Sequence, residues 1–595
     1  MYRTHTCGAL NKSNIGQEIT LSGWVANRRD HGGIIFIDLR DKYGITQTVF
    51  DPEDDKEAWE IANTFRSEFV VKLTGIVRAR PEGQTNDKLP TWEIEVIIKK
   101  SEILSKSKTP PFEINDFSEA NEEIRFKHRY LDIRRKKVLS TIEFRAAINQ
   151  FTRNWFIENW FLEVQTPIFT ASSPEWARDY LIPSRLHPGK FYALPQAPQQ
   201  YKQLLMVGWV DKYFQIAPCF RDEDPRADRH SCEFYQIDAE LSFVEQEDIF
   251  AILESYYADA ITALSPDKKI RTKKFPRLTY REAVDKYGSD KPDVRFDMHF
   301  EDFSSDFADS GFSVFKSAVD WGGVVKAMKL DQKIMTRSEI DEITAVAQTA
   351  GAKWLAYIIY EQEGPRSPIL KFFSEAEIKA LEEKLNPKVW DMIFFGAGDY
   401  KTVTKVLGTV RSTLRDKYDL VDKDEISFAF ITDFPMYSMN DEWKLDFEHN
   451  PFSMPYGGAE GLANPNKLEI YWMQYDVACN WFEVTSGSIR NHDPELLVKA
   501  FEIIWKWEKE VKERFWAIYN ALQYGAPPHG GFAIWIDRLI MILKNEESVR
   551  EVFAFPKSGK AEDTMMNAPS YIDEVQLKEL GIDLREEVKE ELGLN

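Results

Sequence analysis

One stretch constrains the fold more than any other: CFRDEDPRADRHSCEFYQID, residues 219–238. An apolar run enters, a turn crowded with charges follows, and a second apolar run returns, which reads as an antiparallel hairpin. The hairpin sets Arg221 and Glu223 beside Asp238 in a cleft where charge can meet charge. A surface hairpin laced with ion pairs, each worth little, accounts for the charges. It does not account for their delivery by apolar strands to one place. A second stretch, GAPPHGGFAIWIDRLIMIL (525–543), runs from a Gly/Pro-rich loop into an apolar segment broken by Asp537-Arg538. Arginine is seldom buried without a partner or ligand. There it forms either an internal ion pair or a planar donor fork suited to a polyphosphate.

The 595 residues exceed what one core holds and suggest about three or four domains. Hydrophobic residues make up 43% and charged residues 29%, the balance of a soluble globular chain. No apolar run is long enough for a membrane span, and the first residues lack the basic and apolar regions of a secretory signal. Cys7, Cys219, Cys232 and Cys479 lie far apart with no CxxC spacing, which argues against zinc and suits a reducing cytoplasm. The net charge of −21 argues against indiscriminate nucleic-acid binding but leaves room for a local basic stripe.

Five short β-rich runs with turn residues between them fill the first hundred residues: EITLSGWVANRRD, GIIFIDLRD, ITQTVFD, FVVKLTGIVRAR and WEIEVIIKKSEIL. They predict a small closed barrel. SKSKTPPFEIND reads as a linker, and the basic IRFKHRYLDIRRKKV as a helix with a solvated face. From about residue 141 helical and strand patterns mix, as in an α+β domain. Residues 288–420 form a segment of their own before strand character resumes at ISFAFITDFPMYS, which predicts an inserted domain. The acidic tail reads as helical.

The two chemistry-bearing stretches resemble motifs 2 and 3 of class II aminoacyl-tRNA synthetases, and FLEVQTP resembles the end of motif 1, with Pro167 at a dimer interface. PSRLHPGKFYALPQAPQQYKQLLM, YGSDKP, EHNPFSMP, GSIRNHDPE and FPKSGKAEDTMMNAPSYID narrow the resemblance to bacterial-type aspartyl-tRNA synthetases. It runs almost end to end and implies an α+β multidomain protein. Its parts are an OB-fold anticodon-binding β-barrel (1–105), a hinge (106–140), an antiparallel-sheet catalytic domain in two parts (141–287 and 421–560), an inserted α+β domain (288–420) and a C-terminal extension (561–595).

The resemblance implies activation of L-aspartate by ATP, then transfer to the 3′ end of tRNA(Asp), by a homodimer. Such chemistry needs positioning and charge neutralisation more than a proton carrier. Arg221, Glu483 and Arg538 are the implied catalytic residues. Glu175, Gln199, Lys202, Arg221, Asp238, His449 and Arg490 would surround aspartate. Arg221, Asp222, Glu223, His230, Phe234, Glu483, Trp535, Ile536, Asp537 and Arg538 would surround ATP, with Phe234 and Arg538 on opposite faces of the adenine. Asp476 and Glu483 would hold Mg²⁺. Arg28, Phe36, Gln47 and Glu93 match anticodon-contacting positions, suited to unstacked bases. His31 and Gly83 match members that charge tRNA(Asn) as well, which implies an amidotransferase partner that converts Asp-tRNA(Asn). Taken without the family, Phe36 reads as core, Lys202 as a solvated helix lysine, and Asp476 and Glu483 as outward acids of a strand.

The chain departs from that family in three ways. Tryptophan stands at nine positions where the family pattern has glycine: Trp92, Trp160, Trp176, Trp209, Trp354, Trp481, Trp505, Trp516 and Trp535. Glycine is correspondingly scarce, at 29 of 595 residues, against a usual share of about 7%. Replacement of one residue type by one other suggests a UGA codon that the cell reads as glycine. RHSCEFYQID is one residue longer than usual, which a loop must absorb or the strand face flips. Ala197 replaces a serine that helps hold the substrate amino group. Two rivals remain: a sister synthetase for asparagine or lysine, and a silent RNA-binding paralogue whose nucleotide site is blocked by Trp481 and Trp535.

Overall fold

The computed structural model describes residues 1–81, 91–172, 177–440, 442–448, 451–504 and 508–592. Glu175, Trp176, His449, Trp505 and Gly83 therefore lie outside the described residues. The chain divides into two compact units, one built from residues 1–140 with 564–566, the other from 141–563 with 567–595.

The first unit is built on a closed barrel of β1 (Glu18–His31), β2 (Ile34–Asp41), β3 (Gly44–Phe50), β4 (Val70–Ala79) and β5 (Ile94–Ser105), in the order β1-β2-β3-β5-β4. Alternation decides its inside: Ile35, Ile37 and Leu39 of β2 are buried with Leu21, Leu73 and Val96, while Phe36 is only half-buried. Helix α1 (Lys56–Asn63) is capped by the Asp55 side chain, which accepts from the Ala58 N–H. The expected solvated face of the basic linker segment is not seen. Arg125, Arg129 and Arg135 instead converge on buried Asp132. A turn of helix aims three guanidinium groups at one carboxylate, which desolvates them together.

The second unit centres on an eight-stranded sheet. Its strands are β6 (Leu162–Glu163), β7 (Lys212–Phe220), β8 (Glu233–Ser242), β9 (Arg277–Thr279), β15 (Phe428–Thr432), β16 (Gln474–Cys479), β17 (Phe482–Ile489) and β18 (His529–Trp535). They lie in the order β9-β15-β16-β17-β18-β8-β7-β6. Between β9 and β15 the chain makes a separate five-stranded sheet from β10 (Glu301–Asp302), β11 (Val324–Leu330), β12 (Ala356–Glu361), β13 (Gly364–Arg366) and β14 (Met392–Gly398). Helices α2 (Lys136–Glu158), α4 (Gln246–Leu264) and α6 (Ile536–Lys544) supply Phe156, Leu253 and Leu539 to the core over the large sheet; α3 (Gln199–Val207) precedes β7 and α5 (Tyr400–Lys417) follows β14. The extra residue of RHSCEFYQID is absorbed in the turn, because β7 and β8 pair without a bulge from Glu233–Phe220 to Leu241–Lys212. No described helix is long and apolar enough to cross a membrane.

Candidate functional site

The central strands of the large sheet floor a cavity of about 230 Å³. Helix α3 delivers Gln199 and Lys202 to it, β7 runs out to Arg221, β8 supplies Gln236 and Asp238, and β16 and β17 supply Gln474, Asp476 and Glu483. Among the described residues lining it, six polar atoms are buried without a hydrogen-bond partner: Gln199 Nε2, Arg221 Nε, Asp238 Oδ2, Ser453 Oγ, Gln474 Oε1 and Asp476 Oδ1. Such atoms are costly and rare in a finished core. Their convergence on one cavity marks a site prepared for a polar ligand.

At one end four buried charges interlock. Lys202 Nζ lies 2.7 Å from Asp238 Oδ1 and 3.4 Å from Glu240 Oε2. Arg490 grips Glu240 with two bonds, Nε to Oε1 at 2.8 Å and Nη2 to Oε2 at 3.1 Å. Burial pushes the Asp238 carboxyl up despite Lys202. Burial pushes Glu240 the same way, but Arg490 and Lys202 outweigh it and hold Glu240 below the usual carboxylate range. Lys202 is thus no solvated helix lysine. Glu240 went unnoticed in the sequence, although its place two residues after Asp238 on β8 puts it on the same strand face.

At the other end stand Asp476 and Glu483, a cross-strand pair offset by the β16–β17 register shift. Burial and then the neighbouring Glu483 push Asp476 up to about 8. Glu483 is also raised by burial, but Lys291, Arg538 and Arg221 bring it below its ordinary value. Lys291, in YGSDKP, puts its ammonium 3.5 Å from Glu483 Oε2 and 3.9 Å from Asp476 Oδ2. Both acids face inward, so reading them as ordinary outward acids fails.

Between the two ends Trp535 lies flat on Phe234, with ring centroids 4.5 Å apart and planes 21° apart. The Arg538 guanidinium covers its other face at 4.0 Å, and its Nε1 donates to Glu483 Oε1 at 3.2 Å. Arg221 sits over both aromatic rings, 5.1 Å from Phe234 and 5.2 Å from Trp535. Asp537 turns the other way and accepts from Arg145 Nη1 at 2.5 Å, so Asp537 and Arg538 do not pair with each other; the internal partner of Arg538 is Glu483, with Nη1 3.8 Å from Oε2. Ile536 is packed in the core. Asp222, Glu223 and His230 stay in the β7–β8 turn rather than joining the cavity lining, and burial lowers the His230 pKa. The cavity lining includes Ala197, which has no hydroxyl to offer.

In the first unit, Phe36 and Gln47 lie on half-buried outward positions of β2 and β3. His31 is exposed at the end of β1 and meets Phe36 edge-on at 5.9 Å. Arg29, which the sequence reading passed over, reaches Gln47 Oε1 at 3.3 Å and Asp38 at 2.8 Å. Arg28 donates instead to Asn63 Oδ1 at 2.8 Å, and Glu93 pairs with Lys12.

The barrel followed by an antiparallel sheet with this charged cavity is the arrangement of a class II synthetase, and the comparisons agree. Residues 121–559 match the family described as tRNA synthetases class II (D, K and N), and residues 19–104 match the OB-fold nucleic acid binding domain. The chain belongs to the class II tRNA synthetases of this D, K and N group. It is 46% identical to a Prosthecochloris aestuarii protein over 98% of this chain and 96% of that one, and 48% identical to a Bradyrhizobium protein over 98% of each. Both are named aspartate–tRNA(Asp/Asn) ligase. In fold it is similar to asparaginyl-tRNA synthetase from Pyrococcus horikoshii, at a TM-score of 0.58 and 19% identity, covering 94% of this chain and 99% of that one. It is likewise similar to an aspartyl-tRNA synthetase from Entamoeba histolytica, at 0.56 and 17%, covering 92% and 90%.

Proposed function

We propose that the chain joins aspartate to tRNA(Asp) and to tRNA(Asn) at the expense of ATP. The observation that carries this reading is the interlocked quartet with one oxygen of Asp238 left over. Lys202 has a third N–H and Arg490 further donors for a side-chain carboxylate, while Asp238 Oδ2 awaits an ammonium. A neutral carboxamide in the same place would leave those donors poorly matched, which is how such a site rejects asparagine.

In the first step an α-carboxylate oxygen of aspartate attacks the α-phosphorus of ATP, and the bond to pyrophosphate breaks. Arg221, between the two ends of the cavity, holds the attacking carboxylate and the phosphate together and meets the developing charge. A tRNA ribose hydroxyl then takes the aspartyl group and releases AMP. Asp476 and Glu483 fit Mg²⁺: they are two close hard-oxygen ligands, and one of them has an unsatisfied atom. Bound there, the ion supplies neutralisation of phosphate charge. Phe36, Gln47 and His31 form the face we assign to the anticodon; Glu175, His449 and Gly83 keep the roles that the resemblance implies, as does assembly into a homodimer.

Charging of tRNA(Asp) and tRNA(Asn) transcripts side by side, with aspartate-dependent pyrophosphate exchange, tests the reading. Comparable charging of both is expected, and it requires an amidotransferase acting on Asp-tRNA(Asn). A preference of several hundredfold for tRNA(Asp) would overturn the dual specificity. Dependence on asparagine or lysine would overturn the substrate.

A further inference from the structure

The lysine of YGSDKP lies inside the cavity. Lys291 Nζ lies within 4 Å of Asp476, Glu483 and Asp290, the position of a cation shared among carboxylates. We propose that Lys291 is a positioning residue: it is the counter-charge of the Asp476–Glu483 pair before loading, and it passes to the phosphate chain when the metal–nucleotide arrives. This rests on the reading of the two acids as metal ligands. An ammonium and a divalent ion cannot share the same oxygens at close range without strong repulsion.

Manganese titrated alone and with ATP, followed by electron paramagnetic resonance, separates the outcomes. In Lys291→Met, free Mn²⁺ should bind about tenfold more tightly, because a competing positive charge at the ligands is gone. Mn²⁺ with ATP should gain less, or lose affinity. Unchanged free-metal affinity overturns the proposal. Absence of Mn²⁺ binding in both proteins, with and without ATP, overturns the metal reading itself.

Backbone geometry carries a second inference. Among the described residues, five tryptophans have left-handed backbone: Trp160 (φ +68), Trp209 (+68), Trp390 (+79), Trp443 (+58) and Trp481 (+81). Each of the turns described next is one that glycine makes. Trp160 and Trp209 follow helices α2 and α3, where Phe161 and Val210 N–H groups reach back to Phe156 and Leu205 carbonyls, and Trp160 and Trp209 N–H groups to Ile157 and Met206. Those paired bonds define the Schellman ending, whose left-handed residue is usually glycine. Asn480 (φ +48) and Trp481 form the two-residue β16–β17 hairpin turn, where Asn-Gly is the favoured pair. Trp390 is the third residue of a turn closed by Asp391 N–H to the Lys388 carbonyl, the glycine place of a type II turn. Trp390 and Trp443 lie outside the nine positions flagged by family pattern. Trp160 and Trp209 are 87% and 95% exposed, so packing gives no return for the strain.

Trp535 adds a chemical conflict: its indole fills the slot between Phe234 and Arg538 that the reading gives to adenine. We infer that glycine occupies these six positions in the protein its own cell makes, UGA being decoded there as glycine. Peptide mass spectrometry of the protein from its native cells should find glycine at 160, 209, 390, 443, 481 and 535. Tryptophan should remain at Trp155 and Trp472, which are buried in cores. Tryptophan at the six positions overturns the inference. A recombinant pair gives an independent arm. Trp160→Gly with Trp209→Gly should raise the unfolding midpoint, and Trp535→Gly should tighten ATP binding measured by calorimetry. Unchanged stability together with equal ATP binding by the chain as written would also overturn it.

Discussion

Lys202 Nζ lies 2.7 Å from one oxygen of Asp238, while the other oxygen of the same buried carboxylate has no partner. Lys202→Met should therefore do two things at once. It leaves Asp238 as an uncompensated buried charge, a loss of about 3–5 kcal/mol, readable by urea unfolding. It also removes a donor for the aspartate side chain. The double variant Lys202→Met/Asp238→Asn should recover most of the stability without regaining aspartate-dependent exchange. Recovery of exchange would remove Lys202 from substrate binding.

Arg221→Ala should leave the fold intact and slow adenylate formation by about 10²–10³-fold, the scale of one preorganised donor to developing charge. Near-normal exchange in a well-folded variant would exclude Arg221 from the mechanism.

Glu483→Gln should raise the Mg²⁺ concentration needed for half-maximal exchange, because a neutral amide is a poorer ligand for a hard cation. It should also loosen Arg538, whose Nη1 is 3.8 Å from the Glu483 carboxylate. An unchanged Mg²⁺ titration would place the metal elsewhere.

Asp132 gives the first unit an acid limb. Burial would raise its pKa, but the Arg125 hydrogen bond and the charges of Arg129 and Arg125 bring it below the usual carboxylate range. The folded value is lower than the unfolded one. The stabilisation is therefore full above the ordinary value of about 4 and lost as pH falls through the depressed value. Asp132→Asn should flatten this acid dependence in pH-jump unfolding and cost about 3–5 kcal/mol near neutrality, through three guanidinium groups left with less charge. An unaltered acid limb would assign it to other carboxylates.

The pattern of short β-rich runs between turns made the five barrel strands legible in the sequence, but not their faces: Phe36, which without the family reads as core, is only half-buried, whereas Ile35, Ile37 and Leu39 are buried. The same pattern made the β7–β8 hairpin legible, down to Arg221 at its end. These are local facts: a β-rich run and the turns that bound it follow from neighbouring residues alone. The pattern of tryptophans for glycines was likewise visible before any coordinates, although Trp390 and Trp443 needed their backbone angles.

Which charge meets which was decided only by tertiary structure. Arg490 meets Glu240 across 250 residues, and Asp537 meets Arg145 across 392, because the order β17-β18-β8 and the packing of α2 on α6 bring them together. Lys291 reaches Asp476 and Glu483 for the same reason, and Asp132 gathers three arginines that the sequence presented as a solvated face. A buried ion is held by whichever opposite charge the fold places within a few ångströms. Coulomb energy in a low-dielectric interior depends on that distance and not on separation along the chain.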